Sequence, residues 1–283
     1  SIGQQSNEKT GPYSPIESPS FAYFDSQNNI SKWKPKVNEI DTLIIPYYRD
    51  YLEISTRNTY SSIPNTYLIK NGDTIIIEYE NKLQIAKITN RQVNDIELNY
   101  NNYRLKELFD NKYPSHHKIF FGFLLSKEKS MEETTIDFYQ QAVKDGEREI
   151  VFLDSLQKEK LISEDNYSYR KEILTGLLEK HKNLKTIKEW IEKNKSFSNK
   201  ENIETIYGLD LSKTDSLMNF SYFRDYLNNI SKYNLSFIQE NNMNSGAFYI
   251  DSRVRFDSIL NDKRFNQTAK NFLLPITYNG IGQ

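Results

Sequence analysis

Apolar residues recur at helical spacing through the middle of the chain. Ile136, Tyr139, Ala142 and Val143, then Ile150, Leu153, Leu156 and Leu161, fall on one stripe, with Lys, Asp, Glu and Gln on the other faces. That spacing is the signature of a helix with one buried side. Ser130-Met-Glu-Glu133 has the S-x-x-E form of a capping box and marks the helix start. Gly146 interrupts the stripe at a cost of about 1 kcal/mol relative to alanine, which predicts a break or kink there. Ser163 suits the next N-cap, and Glu164 and Asp165 fall in a first turn where the helix dipole favours negative charge. Tyr169, Ile173, Leu177 and Leu178 continue the stripe, and Leu184, Ile187, Trp190 and Ile191 extend it after a short break near Asn183. Two such helices, hinged at Leu161-Ile162-Ser163, are expected to pack antiparallel.

Upstream the pattern shortens to strand lengths. Phe21-Ala-Tyr-Phe24 reads as a first strand and Lys32-Trp-Lys-Pro35 as a loop. From Asp41 to Asn90 the signals are for strands: Thr42-Leu-Ile-Ile45 is a short apolar run ended by Pro46, and Tyr47 to Ile54 alternates imperfectly. Asn71-Gly72, between Tyr67–Lys70 and Thr74–Tyr79, is a strong hairpin signal because both positions tolerate positive φ. A second turn at Glu80-Asn81-Lys82 leads to Leu83–Thr89, which predicts a three-stranded antiparallel meander. This region is a small β-domain, either a sandwich or a half-barrel.

Beyond it, Arg104 to Phe109 reads as a helical turn or two, and Lys112 to His117 as a loop. Ile119–Leu125 is apolar and fits a strand or a buried helix segment equally. Ser198-Asn-Lys-Glu201 is another capping-box form, and Ser212-Lys-Thr-Asp215 leads into a helix to Ile230. Tyr222, Phe223, Tyr226, Leu227 and Ile230 form an aromatic-rich stripe on it. Short helices follow at Leu235–Asn241, Ser252–Leu260 and Thr268–Leu274, with Pro275 stopping the last. The expected class is α+β: a flexible leader at 1–20, a small antiparallel β-domain at 21–98, an all-α helical-hairpin domain at 99–276 and a tail at 277–283.

Composition narrows the function classes. The net charge of −1 gives no electrostatic case for nucleic acid. No apolar run has the roughly 18 residues that a membrane span needs. The absence of cysteine removes thiol nucleophiles, disulfides, thiolate metal sites and iron–sulfur clusters from these residues. The 20 tyrosines suit amphipathic surfaces or a carbohydrate- or peptide-binding face, and their spread along the chain favours the former. The polar leader has the form of a tether following a removed signal sequence, and is compatible with a lipidated cysteine upstream of Ser1.

No phosphate-binding, metalloprotease, calcium-loop or nucleophile-elbow motif is present, and no cofactor or metal site is expected. His116-His117 lacks the further ligands that a metal needs, and a solvated loop explains it. His181 is expected near a helix C-terminus, where a cation is favoured. Tyr47, Tyr48 and Tyr51, in Tyr47-Tyr-Arg-Asp-Tyr51, offer stacking and hydrogen bonding, against the plainer reading of a strand with one buried face. Tyr222 and Tyr226 are candidates on the aromatic helix, against the plainer reading of core packing.

Leu153-Asp-Ser-Leu156, the Leu161-Ile-Ser-Glu164 turn and Tyr167-Ser-Tyr-Arg-Lys171 resemble the helical region ahead of the thioredoxin domain in TlpA-like thiol:disulfide oxidoreductases of Bacteroidetes. Asp215-Ser-Leu217 with Ser221-Tyr-Phe-Arg-Asp-Tyr226 is similar to a further segment of that region. Asn71-Gly-Asp-Thr74, Ile85-Ala-Lys-Ile88 and Asn90-Arg91 look like its preceding β-domain. The resemblance spans roughly 40–275 and carries no catalytic signature, because the family's C-x-x-C is absent. It implies a non-catalytic accessory, partner-recognition region in the periplasm or at the outer-membrane surface, with the native chain either continuing past Gln283 into a redox domain or belonging to a relative that has lost that domain. The alternative is a stand-alone envelope binding protein for a peptide or glycan. A third reading, a hydrolase with scattered residues, requires a pocket gathering a histidine with Asp or Glu around His116 or His117.

Overall fold

The computed structural model describes residues 20–24, 30–35, 40–46, 50–58, 61–80, 83–110, 114–116, 119, 131–193, 211, 214–218, 220–232 and 252–278. The chain is α+β, a small antiparallel sheet region followed by a helical region. It divides into two compact units, Ser1–Tyr103 and Arg104–Gln283. The expected elements at 1–19, 120–130, 198–201 and 235–241 lie outside the described residues.

In the first unit, β1 (Ser20–Phe24), β2 (Ile30–Trp33), β3 (Tyr51–Asn58) and β4 (Ser61–Lys70) form a four-stranded antiparallel sheet of order β2-β1-β3-β4. Strands β5 (Ile75–Glu80) and β6 (Leu83–Ile88) make a separate two-stranded sheet. Phe21, Leu52, Ile54, Tyr67, Ile69, Ala86 and Leu98 share the core, with Ile75, Ile77 and Ile88 packed against it. Three expectations change here. Lys32 and Trp33 belong to β2, which pairs Trp33 with Phe21 and stops short of Pro35. Residues 41–46 form no strand. The meander is absent, because β4 pairs with β3 and not with β5.

Asn71-Gly72 still turns the chain, with Gly72 at φ +88°, but the turn passes it from one sheet to the other. Side-chain contacts fix that turn locally. Asp73 N–H donates to Lys70 O at 3.0 Å, Asn90 Nδ2 to Gly72 O at 2.7 Å, and Arg91 forks onto both Asp73 oxygens at 2.5 and 2.8 Å. The short helix α1 (Asp95–Leu98) is capped by Asn94, whose side chain accepts from Ile96 N–H at 3.0 Å. The Asn99 amide that follows accepts from Ala86 N–H at 2.8 Å and donates to Ala86 O at 2.9 Å. It therefore acts as a buried stand-in for a neighbouring strand on β6.

Helix α2 (Tyr100–Phe109) crosses the boundary between the units. In the second unit, α3 (Met131–Lys158) and α4 (Glu164–Lys193) form the expected long hairpin. Neither expected break occurs. Helix α3 runs straight through Gly146, which faces α4 so closely that an added Cβ would sit 3.4 Å from Leu178 Cδ1. Helix α4 runs through Asn183 without interruption, so His181 lies in mid-helix and not near a C-terminus.

The hairpin turn closes as a Schellman motif. Leu161 N–H donates to Leu156 O at 2.9 Å and Lys160 N–H to Gln157 O at 3.0 Å, with Lys160 at φ +57°. Ser163 O accepts from Tyr167 N–H at 2.8 Å, which begins α4 as its N-cap position predicts. Asp154 braces the turn by accepting from Lys171 Nζ at 2.5 Å and Tyr167 Oη at 2.9 Å.

The stretch from Thr214 to Lys232 is two helices rather than one, α5 (Thr214–Leu217) and α6 (Ser221–Lys232). The buried Arg224 guanidinium donates to Met218 O at 2.5 Å across the join. Helices α7 (Ser252–Asn261) and α8 (Gln267–Tyr278) complete the unit. Pro275 does not stop α8. It lies in the last turn, where the missing N–H forfeits only the single bond to the Asn271 carbonyl, and the buried Thr277 hydroxyl donates to Leu273 O at 2.9 Å. Leu184, Ile187, Phe223, Tyr226, Leu227, Ile230, Ile259, Ala269 and Leu273 form the core, and the fully buried large side chains contribute about 1.5–3 kcal/mol each. No described helix is long and apolar enough to cross a membrane.

Candidate functional site

The histidine that stood out in the sequence has found an acid. His116 Nδ1 lies 2.7 Å from Asp145 Oδ2, and the same oxygen accepts from His116 N–H at 3.1 Å. Gln141 Nε2 donates to the other Asp145 oxygen at 3.0 Å. Burial works to raise the Asp145 carboxyl, but the His116 ring, the His116 amide and Gln141 outweigh it and hold it below the usual carboxylate range. An ionised carboxylate only accepts, so Nδ1 carries the proton of the pair. Phe138 meets the imidazole edge-on at 5.2 Å, and the His181 ring centroid lies 6.4 Å away.

The spacing of α3 explains Asp145. Ala142, Asp145, Glu149, Leu153 and Leu156 occupy one buried stripe, so two acids stand at core positions. Each has a partner: Asp145 has His116, and Glu149 forms an ion pair with Arg104, its carboxylate 2.5 Å from Nε. A sequence reading that put the acids on the solvent faces missed both. Their signal was the 3-and-4 spacing from Ala142 and Leu153. Chemically, Asp145 orients His116 as the acid of a triad orients its base. With Asp145 only 1% exposed and receiving two donors from His116 itself, the pair also straps residues 114–116 to α3. His117 lies outside the described residues. Among the described residues, no group of three or more His, Asp or Glu is placed to hold a metal ion.

The tyrosines divide differently. Tyr47 and Tyr48 lie outside the described residues, whereas Tyr51 is buried at the start of β3. Tyr222 and Tyr226 are 3% and 0% exposed. Tyr222 stacks on Phe220 at 5.6 Å and lies against Gly176 of α4, where any Cβ would overlap its ring. Burial, with Glu172 and Glu179 nearby, pushes its hydroxyl up to about 12. These rings fill the core and offer no stacking face to a sugar.

The two most exposed large apolar side chains lie elsewhere, on a segment the sequence marked only as a strand. Through Ile40–Pro46, Ile40, Thr42, Ile44 and Pro46 are exposed while Asp41, Leu43 and Ile45 are half-buried. Period-2 burial is the mark of extended chain. Ile45 packs against the β-core, whereas Ile40 and Ile44 are 98% and 86% exposed. Among the described residues, no backbone hydrogen bond is made by Leu43, Ile44 or Ile45, and Thr42 N–H donates to the Asp41 side chain at 2.9 Å. By contrast, the depression bordered by Ile88 to Asn94 has its Asn90 and Arg91 side chains committed to Gly72 and Asp73.

No family model, no curated protein and no solved structure matches this chain.

Proposed function

We propose that this chain is a non-catalytic, partner-recognition region of a cell-envelope thiol:disulfide oxidoreductase, working in the periplasm or at the outer-membrane surface. The observation that carries recognition is the pair of almost fully exposed isoleucines, Ile40 and Ile44, on an extended segment anchored by Ile45. Exposed apolar groups grouped in this way mark interaction sites. The redox setting rests on the resemblance of the helical hairpin and the β-region to the segments ahead of the thioredoxin domain in TlpA-like proteins. A chain without cysteine supplies no thiol, so the exchange chemistry belongs to another domain or another protein.

A second reading, a stand-alone envelope protein that binds a peptide, draws on the same exposed segment. The burial of Tyr51, Tyr222 and Tyr226 turns that reading toward peptide and away from glycan. Intact mass and thiol titration of the native protein from its source separate the two. The expected result is a mass well above 33.4 kDa with two reactive thiols, or co-purification with a dithiol protein. A mass near that value, with neither thiols nor a dithiol partner, would overturn the redox assignment and leave the peptide-binding reading.

A further inference from the structure

The exposed segment has two backbone edges, and they differ. In an extended chain, successive residues direct their N–H and C=O groups to opposite sides. Thr42, Ile44 and Pro46 share one edge, while Leu43 and Ile45 share the other. On the first edge Thr42 N–H is taken by the Asp41 carboxylate at 2.9 Å, and Pro46 has no N–H to offer. Among the described residues the Ile44 N–H is the one donor left on that edge, which is therefore partly blunted in the way natural sheets protect their outermost strands. On the second edge, the backbones of Leu43 and Ile45 make no hydrogen bond among the described residues. Both side chains are half-buried, and that of Ile45 packs against the β-core, which anchors the segment before anything binds.

We propose that Leu43 and Ile45 receive an extended segment of a partner polypeptide by strand addition, with Ile40 and Ile44 gripping its outward side chains. This inference deepens, and rests on, the partner-recognition reading above. The occupant is a peptide segment for reasons of size and chemistry. Two isoleucines and their flanks fall well short of the roughly 800 Å² per partner of a stable protein–protein interface, so they do not suit a globular face or a second copy. One strand matches them, because main-chain hydrogen bonds supply affinity and alternate side chains supply selectivity. Neither isoleucine carries charge, so the preferred peptide is apolar at alternate positions.

The test pans a random dodecapeptide phage library on the whole chain, with the Ile40→Ser/Ile44→Ser double variant as counter-selection. Selected peptides are then synthesised in two forms, N-methylated at alternate residues on one edge or the other. The expected result is enrichment of alternating apolar sequences and at least tenfold slower amide exchange at Leu43 and Ile45 when peptide is bound. One N-methylated form should bind at least tenfold more weakly while the other binds normally. Peptides that depend on Ile40 and Ile44 but tolerate both N-methylations would overturn strand addition while leaving recognition by this segment standing. Absence of any peptide that distinguishes the chain from the double variant would overturn the segment as a recognition surface altogether.

Discussion

The two units differ in how far their most exposed apolar residues stand in water: Val151 and Tyr278 reach 69% and 67% in the helical unit, Ile40 and Ile44 98% and 86% in the β-unit. In Arg104–Gln283, Phe223, Tyr226 and Leu227 are wholly buried, and even the acids on the inner stripe of α3 have partners. In Ser1–Tyr103 a complete small core coexists with Ile40 and Ile44, which are almost wholly in water. On the reading proposed above, the helical unit is the scaffold and the β-unit the part that presents a surface.

The largest expected effect tests the scaffold. Phe223→Ala should lower the unfolding free energy by about 3–5 kcal/mol in urea titrations, from lost burial plus the cavity left behind. A loss under 1 kcal/mol would show that the α6 stripe is not a packed core.

The two helix glycines should then separate sharply. Gly176→Ala drives a methyl into the Tyr222 ring and should cost roughly 1–3 kcal/mol. Gly146→Ala meets only the flexible end of Leu178 at 3.4 Å, and should stabilise by up to about 1 kcal/mol through helix propensity. Thermal melts of the pair decide the matter, and equal shifts would count against both close approaches.

The pH dependence follows from Asp145. Its folded value is depressed, so its stabilisation is present above the unfolded carboxylate value of about 3.9 and is lost as pH falls through the folded value. Asp145→Asn should therefore be destabilised at neutral pH and lose less stability than the parent chain on acidification below about pH 4. Parallel pH profiles would contradict the His116 pairing. Lys160→Gly relieves a left-handed backbone and should gain up to about 1 kcal/mol.

The smallest effect belongs to the presenting surface. Ile40→Ser/Ile44→Ser should leave stability within about 0.5 kcal/mol, because both side chains are already in water. A cost above 2 kcal/mol would place them in the core and erase the contrast.

The sequence shows what local spacing determines. The stripes of α3 and α4, the Ser163 start and the burial of the α6 aromatics follow from residues within a turn or two of one another. What it hides depends on distant partners. Asn71-Gly72 marks a turn correctly, yet β4 prefers β3, and that pairing is set by the shared core of Leu52, Ile54, Tyr67 and Ile69. Gly146 weakens helix propensity by an amount that packing along a 28-residue helix overrides. Lys160 takes the left-handed position with no glycine to announce it. His116 finds Asp145 across 29 residues, so neither residue signals the other locally. Thr42–Ile45 has strand composition and period-2 burial but no strand neighbour among the described residues, and only the fold reveals that.

Amide hydrogen exchange on the whole chain without any partner tests the presenting segment most directly. The expected result is fast exchange at Leu43, Ile44 and Ile45, near the rate of an unstructured peptide, beside slow exchange at Tyr67 and Ile69 within β4, whose N–H groups face β3. Protection at Leu43 and Ile45 equal to that of β4 would mean their backbones are already paired, and would contradict the claim that this segment waits for a partner's strand.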